Sequence, residues 1–200
     1  KYDKEKFFQM TGNIGSVIEE IKDDECAERV TDVEVYMVSF LNTSPVGKTY
    51  HQSFKQDVTL SNVRNKKLLL AAKQLLLDKG MTALFMVDEI SQARQVFYLA
   101  QEMGLEPRLA HGKTKGDTNE QVKNLLNDKK VHLVIATQVM GTGTNIPTLD
   151  GVVLGSARKS EIRIMQIIGR GRRRVQGKDT AVIIDSFDTV LGSKKFYGYF

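Results

Sequence analysis

The sequence predicts an α/β protein in which a parallel sheet is covered by helices on both faces. From about residue 33 onward, short apolar runs alternate with longer stretches of helical periodicity. Strands separated by helical stretches of roughly 10–15 residues form βαβ units. The runs at residues 83–87 and 131–136 are apolar throughout, which is typical of strands buried on both faces. Because crossovers between parallel strands are right-handed, the connecting helices lie on both sides of the sheet.

The first elements follow from apolar periodicity and glycine punctuation. We predict a strand at residues 33–41, a mixed segment to about residue 60 and a helix at residues 62–79. The apolar face of this helix consists of Leu68, Ala72, Leu75 and Leu76. Gly80 ends the helix, and the next strand is predicted at residues 83–87.

The next two helices are predicted from capping residues. Ser91 is expected to cap a helix that ends at Gly104. The apolar positions of this helix are Ala93, Val96, Phe97 and Ala100. A strand follows at residues 106–110, and Thr118 and Gln121 form a capping-box pattern at the start of the next helix.

The last part of the chain supplies the remaining strands. They are predicted at residues 131–136, 151–154 and 180–184. Between the last two, Ser160 is expected to start a helix that runs through Gln166.

The first 32 residues do not share the alternating rhythm. Residues 12–21 are helix-like, and residues 22–32 form a charged connector. We interpret residues 1–32 as the tail of a preceding domain with a linker, residues 33–190 as one domain and residues 191–200 as a terminal segment. Since the first residue is Lys, we expect the chain to be a piece of a longer polypeptide.

Composition narrows the function classes. The net charge of +5 and the pI near 9.2 favour an anionic partner. The single cysteine, Cys26, excludes an internal disulfide framework and a cysteine-based zinc cluster, and neither His51 nor His132 has metal-ligand spacing. No apolar run reaches membrane-spanning length and no signal-peptide pattern opens the chain. We therefore predict a soluble protein of the cytoplasm with no membrane partner and no metal site of its own.

Basic residues concentrate in one part of the sequence. They are Arg158, Lys159, Arg163, Arg170, Arg172, Arg173, Arg174 and Lys178. A solvated helix face is the ordinary explanation of such a run. Here Gly169 and Gly171 interrupt it, which favours an arrangement that lets the backbone approach a phosphate chain closely.

Two sequence stretches carry the functional prediction. Residues 134–147 (VIATQVMGTGTNIP) join an apolar strand to a Thr/Gly loop, which we call the Thr137 loop (residues 137–147). Residues 166–174 (QIIGRGRRR) form what we call the arginine segment. Since ligands bind at the carboxyl ends of parallel strands, the Thr137 loop and the turn at Asp88 are expected at the functional edge.

A self-contained nucleotide hydrolase is the first alternative. Gly47-Lys48-Thr49 resembles the end of a phosphate-binding loop, and Asp88 and Glu89 follow an apolar strand as magnesium-binding carboxylates do. However, the loop pattern requires Gly where Asn42 stands, and residues 50–54 show no helical face. Asp88 and Glu89 are equally explained as charges that favour the start of the next helix.

The motifs and their order resemble the second, C-terminal RecA-like domain of superfamily 2 helicases, most closely the UvsW / XPB-type DNA helicase group. Residues 136–147 are similar to the family's fifth motif, and Gln166-x-x-Gly169-Arg170-x-x-Arg173 is similar to the sixth. Residues 85–89 stand at the position of the fourth motif and His111-Gly112 at the family's His-Gly position. Asn145 departs from the Asp that often stands in the fifth motif, so an ionic role there is lost.

The resemblance implies roles for these residues. Arg170 and Arg173 would be the arginine fingers, with Gln166 a polar contact near the nucleotide. Gly143, Asn145 and Gly169 would lie toward the nucleotide, and Thr137, His111 and Gly112 toward a nucleic-acid backbone. ATP and Mg²⁺ would be held mainly by an N-terminal RecA-like domain outside this chain, and the group is associated with DNA repair and recombination.

Simpler explanations remain open for each motif. Gly-Thr-Gly-Thr is ordinary turn chemistry, and the arginine segment could bind phosphate backbones nonspecifically, a role that Arg172 and Arg174 fit best. The choice is therefore between the C-terminal half of an ATP-dependent DNA motor, inactive alone, and a nucleic-acid-binding module without a motor role. The hydrolase built on Lys48 and Asp88 stands third.

Overall fold

A computed structural model describes residues 31–42, 49–113, 116–137, 146–156, 169, 178 and 180–190. The chain divides into two units, residues 1–30 and residues 31–200, and all described residues belong to the second. The predicted helix from Ser160 through Gln166 lies outside the described residues.

Six parallel strands form one sheet. They are β1 (Asp32–Asn42), β2 (Ala83–Met86), β3 (Pro107–Ala110), β4 (Leu133–Ala136), β5 (Gly151–Leu154) and β6 (Thr180–Val190). Their order is β1-β6-β5-β2-β4-β3, and each neighbouring pair is parallel. β6 is longer than predicted because it pairs with β1 over its whole length, from Asp32↔Thr180 to Asn42↔Val190.

Helical segments connect the strands. They are α1 (Tyr50–Phe54), continued by a π-helical turn (Lys55–Thr59), α2 (Asn62–Leu75), a 3-10 turn (Leu77–Lys79), α3 (Ile90–Glu102) and α4 (Gly116–Asn127). α2 begins where the Ser61 hydroxyl accepts a hydrogen bond from the Arg64 N–H at 3.4 Å. α2 ends at Leu75, four residues before the predicted end, and Gly80 instead ends the 3-10 turn that follows it. Gly104 follows α3 as predicted; Gly80 has φ 71° and Gly104 φ 74°, left-handed values that favour glycine.

The sheet separates two apolar cores, because successive side chains of a strand point to opposite faces. On one face, α2 and α3 pack against alternate strand residues such as Phe85 and Ile135. On the other face, α4 contributes Val122 and Leu126 against Leu84 and Val134. Helices on both faces of a parallel sheet are confirmed.

The predicted apolar helix faces are largely confirmed. Leu68, Ala72, Leu76, Ala93, Val96 and Ala100 are fully buried. Leu75 and Phe97 are partly buried at the margin of the same core. The period of the pattern therefore located the buried side of both helices.

Three local predictions are wrong. Ser91 does not cap α3, because the N-cap residue is Glu89 and the Ser91 hydroxyl donates to the Glu89 carboxylate at 2.9 Å. Thr118 does not begin a helix, since α4 already starts at Gly116. Residues 50–54, expected to have no helical face, form α1 because Thr49 and Gln52 make a reciprocal capping box.

No helix within the described residues is both long enough and apolar enough to cross a membrane.

Candidate functional site at the carboxyl edge of the sheet

Four neighbouring strands end at one edge, which we call the carboxyl edge. Asp88 follows β2, His111 follows β3, Thr137 follows β4 and Gly155 follows β5. β2 is paired with both β4 and β5, and β4 with β3. The predicted placement of the Asp88 turn and the start of the Thr137 loop at one edge is confirmed.

Backbone hydrogen bonds continue the sheet beyond its last strand residues. They run from Thr137 N to Ala110 O (3.1 Å), from Val87 N to Ala136 O (2.9 Å) and from Gly155 N to Met86 O (2.8 Å). The first residue after each of β2, β4 and β5 is therefore fixed to a neighbouring strand. A rigid edge is what a phosphate- or nucleotide-binding site requires, because rigid elements hold the contacting groups in place.

Thr137 is 6% exposed and ends a fully buried strand. Since its N–H already donates to the Ala110 carbonyl, any backbone N–H offered to a phosphate by the Thr137 loop comes from later residues. The fixed position of Thr137 sets the starting point of the loop. Gly143 and Asn145 lie outside the described residues.

His111 and Gly112 form a turn after β3 that is attached to α4. The His111 carbonyl accepts a hydrogen bond from the Asn119 side-chain amide at 3.2 Å. Asn119 is buried in the first turn of α4, whereas Gly112 and the neighbouring Lys113 are exposed. An exposed glycine and lysine on an anchored turn suit a contact with an anionic backbone. Sequence reasoning did not identify Asn119, although an Asn near a helix start is a common anchor for a preceding loop.

A buried arginine, Arg64, lies behind the carboxyl edge. It is 2% exposed, and its guanidinium donates to the Gly155 carbonyl at 2.6 Å and to the Ser186 hydroxyl of β6. The guanidinium carbon lies 5.5 Å from the centroid of the Phe40 ring of β1. One side chain of α2 thus contacts residues in or directly after three strands.

Two buried amides extend this arrangement. The Gln92 amide donates to the Gly155 carbonyl at 3.0 Å and to the Asn65 side-chain oxygen at 3.2 Å. The Asn65 amide in turn donates to the Thr59 carbonyl at 3.1 Å. We call Arg64, Asn65, Gln92 and Ser186, together with the Gly155 carbonyl, the Arg64 network. Sequence reasoning did not identify any of its members.

Gly155 leaves no room for a side chain. A Cβ there would lie 2.4 Å from Phe85 Cε1, 2.9 Å from the Met86 carbonyl oxygen and 3.0 Å from Val87 Cγ1. Glycine at this position allows the chain after β5 to run directly against the end of β2.

Of the arginine segment, only Gly169 is described. It lies in a helical turn, is exposed, and a Cβ there would meet no other residue of the described part of the chain within 4 Å. Gln166, Arg170 and Arg173, like Lys48 of the alternative phosphate loop, lie outside the described residues. A close-approach role for Gly169 would therefore require a group that does not belong to the described part of this chain.

Lys178 does not contribute to a basic surface. It is 6% exposed, and its ammonium donates to the Leu149 carbonyl just before β5. Burial lowers the pKa of Lys178 to about 8; the nearby Asp150 carboxylate opposes this shift and Lys129 adds to it. Lys178, although it belongs to the basic run of the sequence, thus lies at the opposite, amino edge of the sheet.

In the part of the chain that the structure describes, no three His, Cys, Asp or Glu side chains are grouped so that they could hold a metal ion.

Comparison with known proteins identifies a family match. The model of the helicase conserved C-terminal domain matches residues 66–174, more than half of the chain. The ATP-dependent DNA helicase uvsW of Enterobacteria phage T4 is 26% identical over 194 residues, which cover 93% of this chain and 38% of the phage protein. The chain thus spans well under half the length of this relative.

Solved structures share the fold. The crystal structure of T4 UvsW superposes with a TM-score of 0.60 at 20% identity, covering 84% of this chain and 36% of that one. The ATP-dependent Type ISP restriction-modification enzyme LlaBIII bound to DNA gives a TM-score of 0.62 at 19% identity, covering 92% of this chain and 14% of that one. These likenesses confirm the predicted RecA-like fold.

Proposed function

Because this chain belongs to the family of helicase conserved C-terminal domains of superfamily 2, we propose that it is the C-terminal motor half of an ATP-dependent DNA helicase or translocase. The observation that carries the proposal is the extent of the family match. It includes both the Thr137 loop and the arginine segment, as well as β2 to β5, α3, α4 and most of α2.

We propose that ATP binds between this domain and an N-terminal RecA-like domain. The chain spans only 38% of the T4 helicase that it resembles, which supports a partner domain in the same protein. That domain would hold the phosphates and the Mg²⁺ ion, which neutralises the charge of the β- and γ-phosphates.

The proposed role of Arg170 and Arg173 follows from the charge of phosphoryl transfer. As the γ-phosphoryl group leaves, negative charge spreads over its oxygens, and an arginine from a neighbouring domain accelerates the reaction by roughly 10³- to 10⁵-fold. The planar guanidinium binds two phosphate oxygens at once and stays protonated. On a continuous helix Gln166, Arg170 and Arg173 would share one face, since they are spaced by four and three residues.

We propose that Thr137, His111 and Gly112 contact the nucleic-acid backbone. Their support is the anchored, partly exposed carboxyl edge, where the His111 turn is attached to α4 and Thr137 to β3. Backbone contacts hold a nucleic acid without reading its sequence, as a translocating motor requires. Closure of the two halves on ATP and opening after hydrolysis would then move the protein along DNA.

The group that the sequence resembles supports two further proposals. The substrate is DNA rather than RNA, in repair or recombination. The site of action is the cytoplasm, in keeping with a similar protein from a bacteriophage.

Replacement of Arg173 in the full-length protein tests the motor function. We expect Arg173→Ala to reduce DNA-stimulated ATP hydrolysis by on the order of 10³-fold while DNA affinity changes little, because a finger acts in the transition state. Arg108→Ala is the matched control, since Arg108 is an exposed arginine in β3. If Arg173→Ala weakens DNA binding and the wild-type protein itself shows no DNA-stimulated ATP hydrolysis, the chain is a nucleic-acid-binding module.

The 200-residue chain alone separates the motor from a self-contained hydrolase. We expect it to bind DNA and to show no ATP turnover, because the phosphate-holding domain is absent. Turnover by the purified chain that disappears in Lys48→Ala would contradict the motor proposal and support the hydrolase.

A further inference from the structure

We propose that Arg64 and Gln92 are positioning residues for ATP hydrolysis, acting through the Gly155 carbonyl on the chain that leads into the arginine segment. This inference rests on the proposed motor function. Neither residue belongs to the motifs that indicated that function.

The peptide groups on either side of Gly155 are held by neighbouring elements. The Gly155 N–H donates to the Met86 carbonyl of β2 at 2.8 Å. The Gly155 carbonyl accepts from Arg64 at 2.6 Å and from Gln92 at 3.0 Å. A Cβ at Gly155 would lie only 2.9 Å from the Met86 carbonyl oxygen, so the backbone at Gly155 is packed closely against the end of β2.

Gly155 is the first residue after β5 on the way to the proposed fingers. It precedes Gln166 by 11 residues and Arg170 by 15. The direction of the chain at Gly155 therefore determines where the connection from β5 to the arginine segment begins. A displacement of about 1 Å in a catalytic group can lower a rate on the order of 100-fold.

Arg64 is suited to fixing this point because its donors form a rigid fork. One guanidinium nitrogen donates to the Gly155 carbonyl and the other donates to the Ser186 hydroxyl of β6. Arg64 therefore fixes the end of β5 relative to the neighbouring strand. Charge-assisted hydrogen bonds of this kind are about twice as strong as neutral ones. Burial of a guanidinium is costly without such bonds, so the arrangement is under strong geometric constraint.

Gln92 connects the same carbonyl to the Asp88 turn. It lies in the first turn of α3, whose N-cap residue Glu89 follows Asp88 at the carboxyl edge. If nucleic-acid binding shifts the Asp88 turn, the Gln92 side chain would transmit that shift to the Gly155 carbonyl. Gln92 thus connects the Gly155 carbonyl to the start of α3 at the carboxyl edge.

The test is steady-state ATPase kinetics of the full-length protein with saturating DNA. We expect Arg64→Lys to lower kcat on the order of tenfold with KM for ATP and DNA affinity within about twofold, because Arg64 is only 2% exposed. Lysine keeps the charge but cannot reach both acceptors, so Arg64→Met should be slower still. Ser186→Ala, which removes one acceptor with almost no change in volume, should lower kcat by a smaller factor.

Lys67→Met is the matched control. Lys67 lies one turn after Arg64 in α2, and its ammonium is 5.1 Å from the centroid of the same Phe40 ring, but it is exposed and donates to the Ser39 carbonyl. It has no hydrogen bond to Gly155 within the described contacts, so its kcat should equal that of the wild type.

Melting temperatures of the same variants separate positioning from stability. If Arg64→Lys and Ser186→Ala melt earlier but keep wild-type kcat well below melting, Arg64 only stabilises the fold and the inference is overturned. Should Arg64→Met fail to fold, Arg64→Lys and Ser186→Ala still decide the question. A wild-type protein without DNA-stimulated ATPase would instead overturn the motor function, and this inference with it.

Discussion

At the scale of single residues, Gly155 is the described position of the carboxyl edge with the least room for a side chain. An added methyl group would lie 2.4 Å from Phe85 and 2.9 Å from the Met86 carbonyl oxygen. The ring can turn only within a close-packed core, and the carbonyl belongs to a sheet strand. Space at this position is therefore set by backbone as well as by side chains.

We predict that Gly155→Ala lowers the free energy of unfolding by about 1–3 kcal/mol, the usual cost of overpacking. Denaturant unfolding of the 200-residue chain measures the change. Gly169→Ala is the control, because no other described residue comes within 4 Å of its Cβ position, and it should be neutral or stabilising by up to about 1 kcal/mol. Equal stabilities of Gly155→Ala and the wild type would show that the core yields more easily than the contacts indicate.

Lys178 gives the chain a specific pH dependence of stability. Burial is the main reason why the pKa of Lys178 in the folded protein is lowered to about 8 from its ordinary value of 10.5. Between these values the unfolded state binds more protons than the folded state, so the free energy of unfolding should rise with pH from about 8 to about 10.5. Below pH 8 both states are protonated and the contribution is constant.

The variant Lys178→Met isolates this contribution, since other groups titrate in the same range. We expect the difference in unfolding free energy between wild type and variant to change steadily from pH 8 to pH 10 and to be flat from pH 6 to pH 7.5. A difference that does not depend on pH anywhere in this range would contradict a lowered pKa of Lys178.

At the scale of elements, the N-terminal caps of α2 and α3 differ in their hydrogen bonding. Ser61 caps α2 with its hydroxyl, whereas Glu89 has an extended backbone suited to an N-cap but makes no side-chain cap bond. Shorter side chains such as Asp reach the N–H groups of the first turn more easily than Glu does.

We therefore predict opposite effects of substitution at the two caps. Ser61→Ala should lower the free energy of unfolding by about 1 kcal/mol, and Glu89→Asp should raise it by a few tenths to about 1 kcal/mol. Thermal and denaturant unfolding of both variants provide the comparison. A destabilising Glu89→Asp would mean that the exposed bond from Ser91 to the Glu89 carboxylate matters more than the cap.

Sequence patterns predicted the strands better than the helix starts. β2 and β4 are apolar runs covered on both faces, so their burial follows from composition alone. The start of α3 depends on which of Glu89 and Ser91 takes the extended backbone, and both residue types occur near helix starts. α1 was missed because a capping box and a contact of Phe54 with Val58, rather than an apolar stripe, support it.

The candidate site was predictable only where it follows from topology. Thr137 and the Asp88 turn were placed correctly because adjacent parallel strands end at the same edge. Arg64 was missed because an arginine followed by Asn-Lys-Lys resembles a solvated helix surface. Its partners Gly155 and Ser186 come 91 and 122 residues later, and no local pattern reports such pairs.

At the scale of the whole molecule, the two edges of the sheet carry different kinds of polar contact. The carboxyl edge holds the Arg64 network and the exposed turn at Gly112. At the amino edge, the Asp150 carboxylate accepts from the Thr82 N–H at 2.8 Å and lies 3.3 Å from the Lys129 ammonium. At the same edge the Lys178 ammonium is buried against the Leu149 carbonyl, so Lys178 adds little to the positive charge available to an anionic partner.

This division predicts which basic residues contribute to DNA binding by the 200-residue chain. The logarithm of the association constant should fall linearly with the logarithm of salt concentration, with a slope near −0.9 for each duplex phosphate neutralised. Arg172→Ala and Arg174→Ala should each reduce the magnitude of that slope by roughly one. Lys178→Met should leave the slope unchanged, although Lys178 lies only four residues from Arg174, because its ammonium is buried against the Leu149 carbonyl.

Fluorescence anisotropy of a labelled duplex across a salt series measures the slopes of the wild type and of the three variants. A reduced slope for folded Lys178→Met, or no change for both arginine variants, would contradict the assignment of the DNA-binding cationic surface to the arginine segment.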